Sequence, residues 1–398
     1  MNGVIIVDKP AGWTSHDVVN RLRRILGQRS VGHLGTLDPL ATGVLPLVTG
    51  SLTRLAQFYI ASEKTYEGVI RFGFATNTYD ADGEPPEEHA GTAAPSASSE
   101  LALSLPKGQA PGSPAPIINL NLEVLQKLAA QFLGLIEQVP PPFCAKKIKG
   151  VPAYKLARRQ EEVILPPIQI EIKEFAITAV EADRAHFRAR VASGTYMRSI
   201  AHEMGQRLGC GAHLESLRRT AVAEFNITQA HTIEELEAQV VKGPLVKGQT
   251  NGGQTVEVQE IQTVRGQTDE GQTVTGQTVV DQIKDCHSEP GRRSGEEPAF
   301  PDHEGIAALF IHPRQLLPQF PSVTADEPTA ARIRSGRPVN LPQLSRARQV
   351  KVFAGQTDLI AIATRVAGTL FHPKIVFPPD NPGVGNKTMS LPKRATAR

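Results

Sequence analysis

Between Ala238 and Ala299 the chain has no aromatic residue, and the tripeptide Gly-Gln-Thr recurs there five times, starting at positions 248, 253, 266, 271 and 276. Such a stretch cannot bury enough apolar surface to offset the entropy of ordering its backbone, so it splits the foldable sequence in two. The spacings of 5, 13, 5 and 5 residues are irregular, whereas a solenoid needs a fixed period so that successive units stack. Residues 238–302 therefore read as a polar linker, expected to be disordered, with a short β-hairpin array as the other reading. A second aromatic-free stretch, residues 87–116, is rich in Ala, Ser, Pro and Gly and reads as a loose insertion. The expected organisation is a first domain over 1–237, the linker, a small β-rich domain over 303–377, and a basic tail over 378–398.

The remaining sequence folds on ordinary terms. At 398 residues and roughly 150 per domain, two or three domains are expected. Cys144, Cys210 and Cys286 form at most one disulfide and lack paired metal-ligand spacing, which excludes a disulfide framework or a zinc ribbon and fits a reducing cytoplasm. The apolar run Val4 to Val7 is interrupted by Asp8 and Lys9, too short for a signal-peptide core or a membrane span. A net charge of +3 permits a nucleic-acid partner without establishing one.

Val4 to Val7 read as a buried strand that Pro10 and Gly12 break into a turn. Thr14 and Asp17 have the form of a capping box, and Val18, Val19, Leu22, Ile25 and Leu26 recur at helical spacing up to Gly27. Asn121 caps a second helix with Leu122, Leu125, Leu128, Ala129 and Phe132 on it, followed by Gly134 and a long Pro-broken loop. Phe187, Ala189 and Val191 alternate with His186, Arg188 and Arg190 as in a half-buried strand. Met197, Ile200, Ala201, Met204 and Leu208 mark a helix ending at Gly209. Beyond His303, the runs Ile306 to Ile311, Val350 and Val352, Leu359 to Ile362, and Ile375 to Phe377 suggest β structure, punctuated by Gly336, Gly355 and Gly368.

The densest local signal is Gly32-His33-Leu34-Gly35-Thr36-Leu37-Asp38-Pro39-Leu40-Ala41-Thr42-Gly43. Three glycines and a proline around one His and one Asp describe a tightly turned loop that can present a carboxylate. From spacing alone it reads equally as an Asp-Pro turn whose Asp merely caps. On the same terms Arg198 reads as a surface arginine, Tyr66 and Tyr196 as strand or helix-start aromatics, Leu217 as a core leucine and His33 as a turn histidine.

The stretch from Lys9-Pro10-Ala11-Gly12-Trp13-Thr14-Ser15 through the Asp38 loop strongly resembles the tRNA pseudouridine synthase B family. Further blocks match in order: Lys64-Thr65-Tyr66; Thr76 to Gly83; Gln138 to Lys147, on through Gly150, Tyr154, Ala157 and Arg158; Ser193 to Arg198; and Gly209 to Leu214, running on to Leu217-Arg218-Arg219. The resemblance spans roughly residues 3 to 86 and 117 to 236. Cys144, Gln160 and Asn77 depart from residues usual in the family, and residues 303–377 resemble its RNA-binding PUA-like domain only weakly.

That resemblance implies an α+β catalytic domain around a mixed, largely antiparallel sheet with flanking helices, and an isomerase that converts a uridine of the tRNA T loop, position 55, to pseudouridine. Breaking the C1′–N1 bond and forming C1′–C5 involves no redox change, so no cofactor and no metal are expected. By the family pattern Asp38 is the nucleophile, attacking the uracil or the sugar or stabilising positive charge at C1′. Such a carboxylate in a partly dry pocket needs a neighbouring cation against desolvation, and Arg198 is the family-matched candidate. Tyr66 is expected to stack on the flipped base and is a candidate proton acceptor, Tyr196 and Leu217 to line the pocket, and His33 to fill the space the base vacates. Among Arg21, Arg23, Arg24, Arg29, Lys146, Lys147, Lys149, Arg158, Arg159, Arg218 and Arg219, some are expected to touch phosphates. The expected partner is the tRNA T-arm, bound by a cytoplasmic monomer.

Other classes fit less well. An RNA-binding or tRNA-folding module with lost or secondary catalysis conflicts with the intact Asp38, Tyr66 and Arg198 set. A hydrolase built on His33 and Asp38 lacks any nucleophile elbow, triad motif or metal cluster. A synthase acting on another RNA shares every motif above.

Overall fold

The computed structural model describes residues 1–85, 120–241 and 304–378, apart from positions 149, 160, 162 and 342–345. The expected insertion at 87–116, Lys149, Gln160, Cys286, most of the 238–302 stretch and the tail beyond 378 lie outside the described residues.

The chain opens with β1 (Gly3–Lys9), α1 (Ser15–Ile25), β2 (Val31–His33), β3 (Thr42–Thr49), the single turn α2 (Ala56–Tyr59) and β4 (Lys64–Phe72). It continues with α3 (Leu122–Ala130) and β5 (Gly134–Gln138), then a small hairpin of β6 (Lys147–Ile148) and β7 (Val151–Pro152) leading into α4 (Ala153–Ala157). There follow β8 (Ile168–Glu181), β9 (Arg184–Val191), α5 (Met197–Leu208), β10 (Ala212–Val222), β11 (Phe225–Asn226) and α6 (Ile233–Val241). The last part holds α7 (Glu304–Ala307), β12 (Ser322–Ala325), α8 (Glu327–Arg334), β13 (Val339–Asn340), β14 (Gln349–Ala354), β15 (Asp358–Ala367) and β16 (Leu370–Val376).

Nine strands make one sheet in the order β1-β3-β10-β4-β9-β8-β5, with β2 on β3 and β11 on β10. The β3–β10 ladder is parallel and the others are antiparallel, which is the mixed, largely antiparallel α+β architecture anticipated from the sequence. A second sheet runs β12-β14-β15-β16-β13.

The unbroken apolar run in β1 is explained by what covers it. Ile5 and Val7 face the core beneath α1 and α5, whereas Val4 and Ile6 join a second core with Leu316, Leu317, Phe353 and Phe377. Leu45 and Leu47 of β3 take the first side and Val44 and Val48 the second. A strand buried on both faces carries no polar alternation. Strand β9, with one face towards solvent, shows the clean alternation instead, Phe187, Ala189 and Val191 being buried.

Caps fall where the sequence puts them. Thr14 and Asp17 form both halves of the capping box of α1, the Asn121 side chain accepts from Glu123 N, and Gly209 closes α5 at φ 71°. Two expectations differ. The Pro-broken stretch after Gly134 begins with strand β5 and holds the β6–β7 hairpin, both short enough for prolines to mask. The run Ile306 to Ile311 is no strand of the second sheet: α7 gives way to a bridge in which Ile311 N donates to Val4 O at 2.8 Å, because its apolar residues pack on β1. Among the described residues no helix is long and apolar enough to cross a membrane.

Candidate active site

The Asp38 loop joins β2 to β3 and is held on both sides of the aspartate. Ser15, at the start of α1, accepts from Leu37 N at 2.8 Å and donates to Leu37 O at 3.1 Å. Arg219, fully buried on β10, donates to Gly35 O and Thr36 O at 3.0 Å each and to Val44 O at 2.8 Å. Lys9, fully buried at the end of β1, donates to Pro10 O, Trp13 O and Pro39 O at 2.8, 2.6 and 3.1 Å. The carbonyls are satisfied by two buried cations in place of water, which fixes the backbone on either side of Asp38. Gly43 is required where the loop rejoins the sheet: its φ is +100°, and a Cβ there would stand 2.2 Å from Arg219 O.

Arg198, in the first turn of α5, brings two aspartates together. Its Nε lies 3.0 Å from Asp38 Oδ2 and its Nη1 3.4 Å from Asp80 Oδ2. Its remaining N–H groups donate to Thr78 O at 3.2 Å and Phe143 O at 3.1 Å. The Nε–H does not satisfy hydrogen-bond geometry, so its contact with Asp38 is an ion pair by distance alone. The Arg198 side chain is 7% exposed and that of Asp38 42%. The arginine that spacing alone would leave on the surface is an interior one beside Asp38, as the resemblance implied, and the carboxylate expected in a partly dry pocket is open to solvent.

Tyr66 on β4 and Arg219 on β10 stand at one register position, the Tyr66 hydroxyl meeting the guanidinium, while Leu217 pairs with Gly68 two positions along. Tyr66 and Leu217 are both nearly buried. Tyr196 is the residue before α5, its backbone clamped by Gln138, which donates to Tyr196 O at 3.0 Å and accepts from Tyr196 N at 2.9 Å. Burial first, then the neighbouring Cys144 thiol and the Asp38 charge, push the Tyr196 hydroxyl up to about 12. His33 accepts from Gly35 N at 3.3 Å through Nδ1, and burial, reinforced by Arg219 and His16, holds its pKa below the usual histidine value. All six candidate positions (His33, Asp38, Tyr66, Tyr196, Arg198 and Leu217) are therefore linked through the loop, Arg219 and α5.

A curated tRNA pseudouridine synthase B from Solibacter usitatus is 39% identical over 381 residues, covering 95% of this chain and all of that protein. The chain belongs to the tRNA pseudouridine synthase B family. The model of the TruB family pseudouridylate synthase N-terminal domain matches residues 23–114 and 107–197, and that of the tRNA pseudouridylate synthase B C-terminal domain matches residues 198–244. Synthases of the same name from Opitutus terrae and Thermobifida fusca are each 41% identical over about 60% of the chain, covering 88% and 77% of their own lengths. Among solved structures, a Cbf5-Nop10-Gar1 complex shares the fold, with a TM-score of 0.55 and 19% identity over 95% of this chain and 85% of the matched chain.

Within this tRNA pseudouridine synthase B family member, the structure adds residues that the sequence reading left unassigned. Asp80 is buried; burial raises its pKa, opposed by the Thr78 hydroxyl and Arg198. Burial, opposed in part by Asp38, holds Lys9 down at about 8, and burial beside Arg219 does the same to Lys64. Lys9 and Asp80 lie in recognised motif blocks, but only their depth shows what they do. Arg219, offered as a phosphate contact, is instead a loop clamp, and Arg218 is engaged by Asp8 at 2.7 Å. Arg158, Arg159 and Lys147 remain exposed around α4 and its hairpin. Among the described residues no group of three or more His, Cys, Asp or Glu side chains is placed to hold a metal ion.

Proposed function

We propose that the protein isomerises uridine to pseudouridine in the T loop of tRNA, at position 55, with Asp38 as the nucleophile. The observation that carries the reading is a solvent-facing Asp38 carboxylate on a loop pinned at residues 35, 36, 37 and 39, with a buried arginine 3.0 Å from one oxygen. A group held in this way pays little reorganisation when the reacting centre develops charge. The uridine enters flipped out of its loop, closing the open side of Asp38; Tyr66 stacks on the uracil, and Leu217 and Tyr196 wall the pocket. The C1′–N1 bond breaks, the base turns, C1′–C5 forms, and the C5 proton is lost while N1 is protonated. We assign removal of that proton to the Tyr66 hydroxyl beside Arg219, which takes it as its own proton passes on to N1 or to solvent, so the phenol ends neutral. His33, neutral at pH 7 by the direction of its shift, fills the gap in the RNA.

Residues 1–237 act as the catalytic domain and 303–377 as a PUA-like RNA-binding module. The exposed Arg158, Arg159 and Lys147, with Arg348 and Lys374 at an open pocket on the second sheet, supply cations for phosphates. The protein works as a cytoplasmic monomer. The test is tritium release from a tRNA transcript labelled at uracil C5, followed by carbodiimide mapping of the product. One tritium per tRNA with a single adduct at position 55 supports the reading. Release from a different position, or none despite tight binding, moves the assignment to another RNA or to a binding module.

A further inference from the structure

One peptide unit, Leu316–Leu317, is gripped from two directions. Its carbonyl accepts from Lys351 Nζ, a nearly fully buried lysine on β14 that also donates to Arg314 O at 2.8 Å. Its N–H donates to Glu224 Oε1 at 2.8 Å and to the Tyr59 hydroxyl at 3.2 Å, and that hydroxyl itself donates to Glu224 Oε1 at 2.6 Å. Lys351 belongs to the second sheet, whereas Tyr59 ends α2 and Glu224 sits in the turn after β10. Leu317 is a buried leucine at φ 51°, a conformation that a side chain with Cβ keeps only where its surroundings dictate it. Around the grip, Phe58 meets Phe320 edge to face at 5.5 Å, and Arg54 donates to Val376 O at 2.9 Å.

Nothing in the chemistry at Asp38 uses these groups. A half-buried carboxylate with a buried hydroxyl and ammonium is costly to desolvate, and apolar packing of the same shape would hold two sheets together as well. What directional hydrogen bonds add is a single orientation. We infer that Tyr59, Glu224 and Lys351 are positioning residues that fix the cationic face of the second sheet relative to the Asp38 loop, so that one RNA is read by both at once. The inference rests on the function proposed above. It assigns these residues to recognition of RNA beyond the reacting loop, with no part in the bond-breaking step.

The experiment compares Glu224→Ala and Glu224→Gln with the unaltered protein on two substrates, full-length tRNA and an isolated T-arm stem-loop that offers the second sheet nothing to hold. The alanine leaves the Tyr59 hydroxyl without its acceptor and the Leu317 N–H with only that hydroxyl, at 3.2 Å, so kcat/KM on tRNA should fall about tenfold through KM, with kcat and stem-loop turnover within about twofold. Glutamine keeps an acceptor oxygen and should restore most of the loss. Hydrogen exchange should show lost protection at Leu317 in the alanine variant and retained protection in the glutamine variant. Equal losses on both RNAs, or no loss on tRNA, overturn the assignment. If the unaltered protein turns over neither RNA, the functional reading fails; unchanged exchange at Leu317 in Glu224→Ala would then overturn the clasp on its own.

Discussion

Arg198 reaches Asp38 from the interior: the two approach to 3.0 Å, yet the guanidinium is almost wholly enclosed and the carboxylate is open to solvent. The same guanidinium is tied to Asp80, Thr78 O and Phe143 O, so its position is set by groups other than Asp38. Arg198→Lys keeps the charge but cannot span this set with one ammonium. In that variant kcat should fall by about 10²-fold with RNA affinity within a few-fold. Single-turnover kinetics check this; a wild-type rate in the variant removes Arg198 from the mechanism.

Lys9 carries a pH signature. Its pKa is about 8 in the folded protein against 10.5 ordinarily, so above pH 8 the unfolded chain holds a proton that the folded chain has released. Stability therefore rises with pH in that window, and Lys64 adds in the same direction. Calorimetry from about pH 8 to 9.5, below most tyrosine ionisation, should show a gain that Lys9→Met reduces. The variant should also lose about 1 to 3 kcal/mol at pH 7 through the carbonyls it leaves unpaired. An unchanged pH slope would mean that Lys9 titrates normally.

Tyr66 has two assigned tasks that substitution separates. Tyr66→Phe preserves the ring and removes the hydroxyl beside Arg219; kcat should fall by about 10²-fold or more while KM holds. Tyr66→Leu removes the stacking face as well and should weaken binding by a further 1 to 3 kcal/mol or so. Equal effects of the two substitutions on KM would argue against stacking.

Binding should depend steeply on salt. Neutralising Arg158, Arg159 or Lys147 one at a time should weaken tRNA binding uniformly and reduce the slope of log K against log salt by about 1 for each true phosphate contact. Arg219→Gln should instead destabilise the Asp38 loop, because that side chain is spent on Gly35, Thr36 and Val44 carbonyls. Filter-binding titrations over a range of salt distinguish the two behaviours.

Much of this was legible in the sequence where the signal is local. The capping box of α1, the Asn121 cap, the alternation of β9 and the stop at Gly209 depend on residues a few positions apart, and they form as written. The Asp38 loop was legible as a turn, and its family resemblance identified the residues that gather around it. What was not legible is set by long-range burial. Nothing near Arg219 in sequence distinguishes a loop clamp from a phosphate contact; that depends on β3 running parallel to β10 and delivering Val44 O to it. Likewise Asp80 gains meaning only because α5 presents Arg198 against its loop. The apolar run at Ile306 to Ile311 looked like a strand because the surface it packs on, β1, lies some 300 residues away in sequence.

Asp38 is proposed to perform the chemistry, on a loop built to hold it. Asp38→Asn preserves size and removes the charge, so single-turnover tritium release from C5-labelled tRNA should vanish while the dissociation constant for the same tRNA stays within a few-fold. Release at a measurable fraction of the wild-type rate, with the tRNA bound normally, would contradict the assignment of the nucleophile.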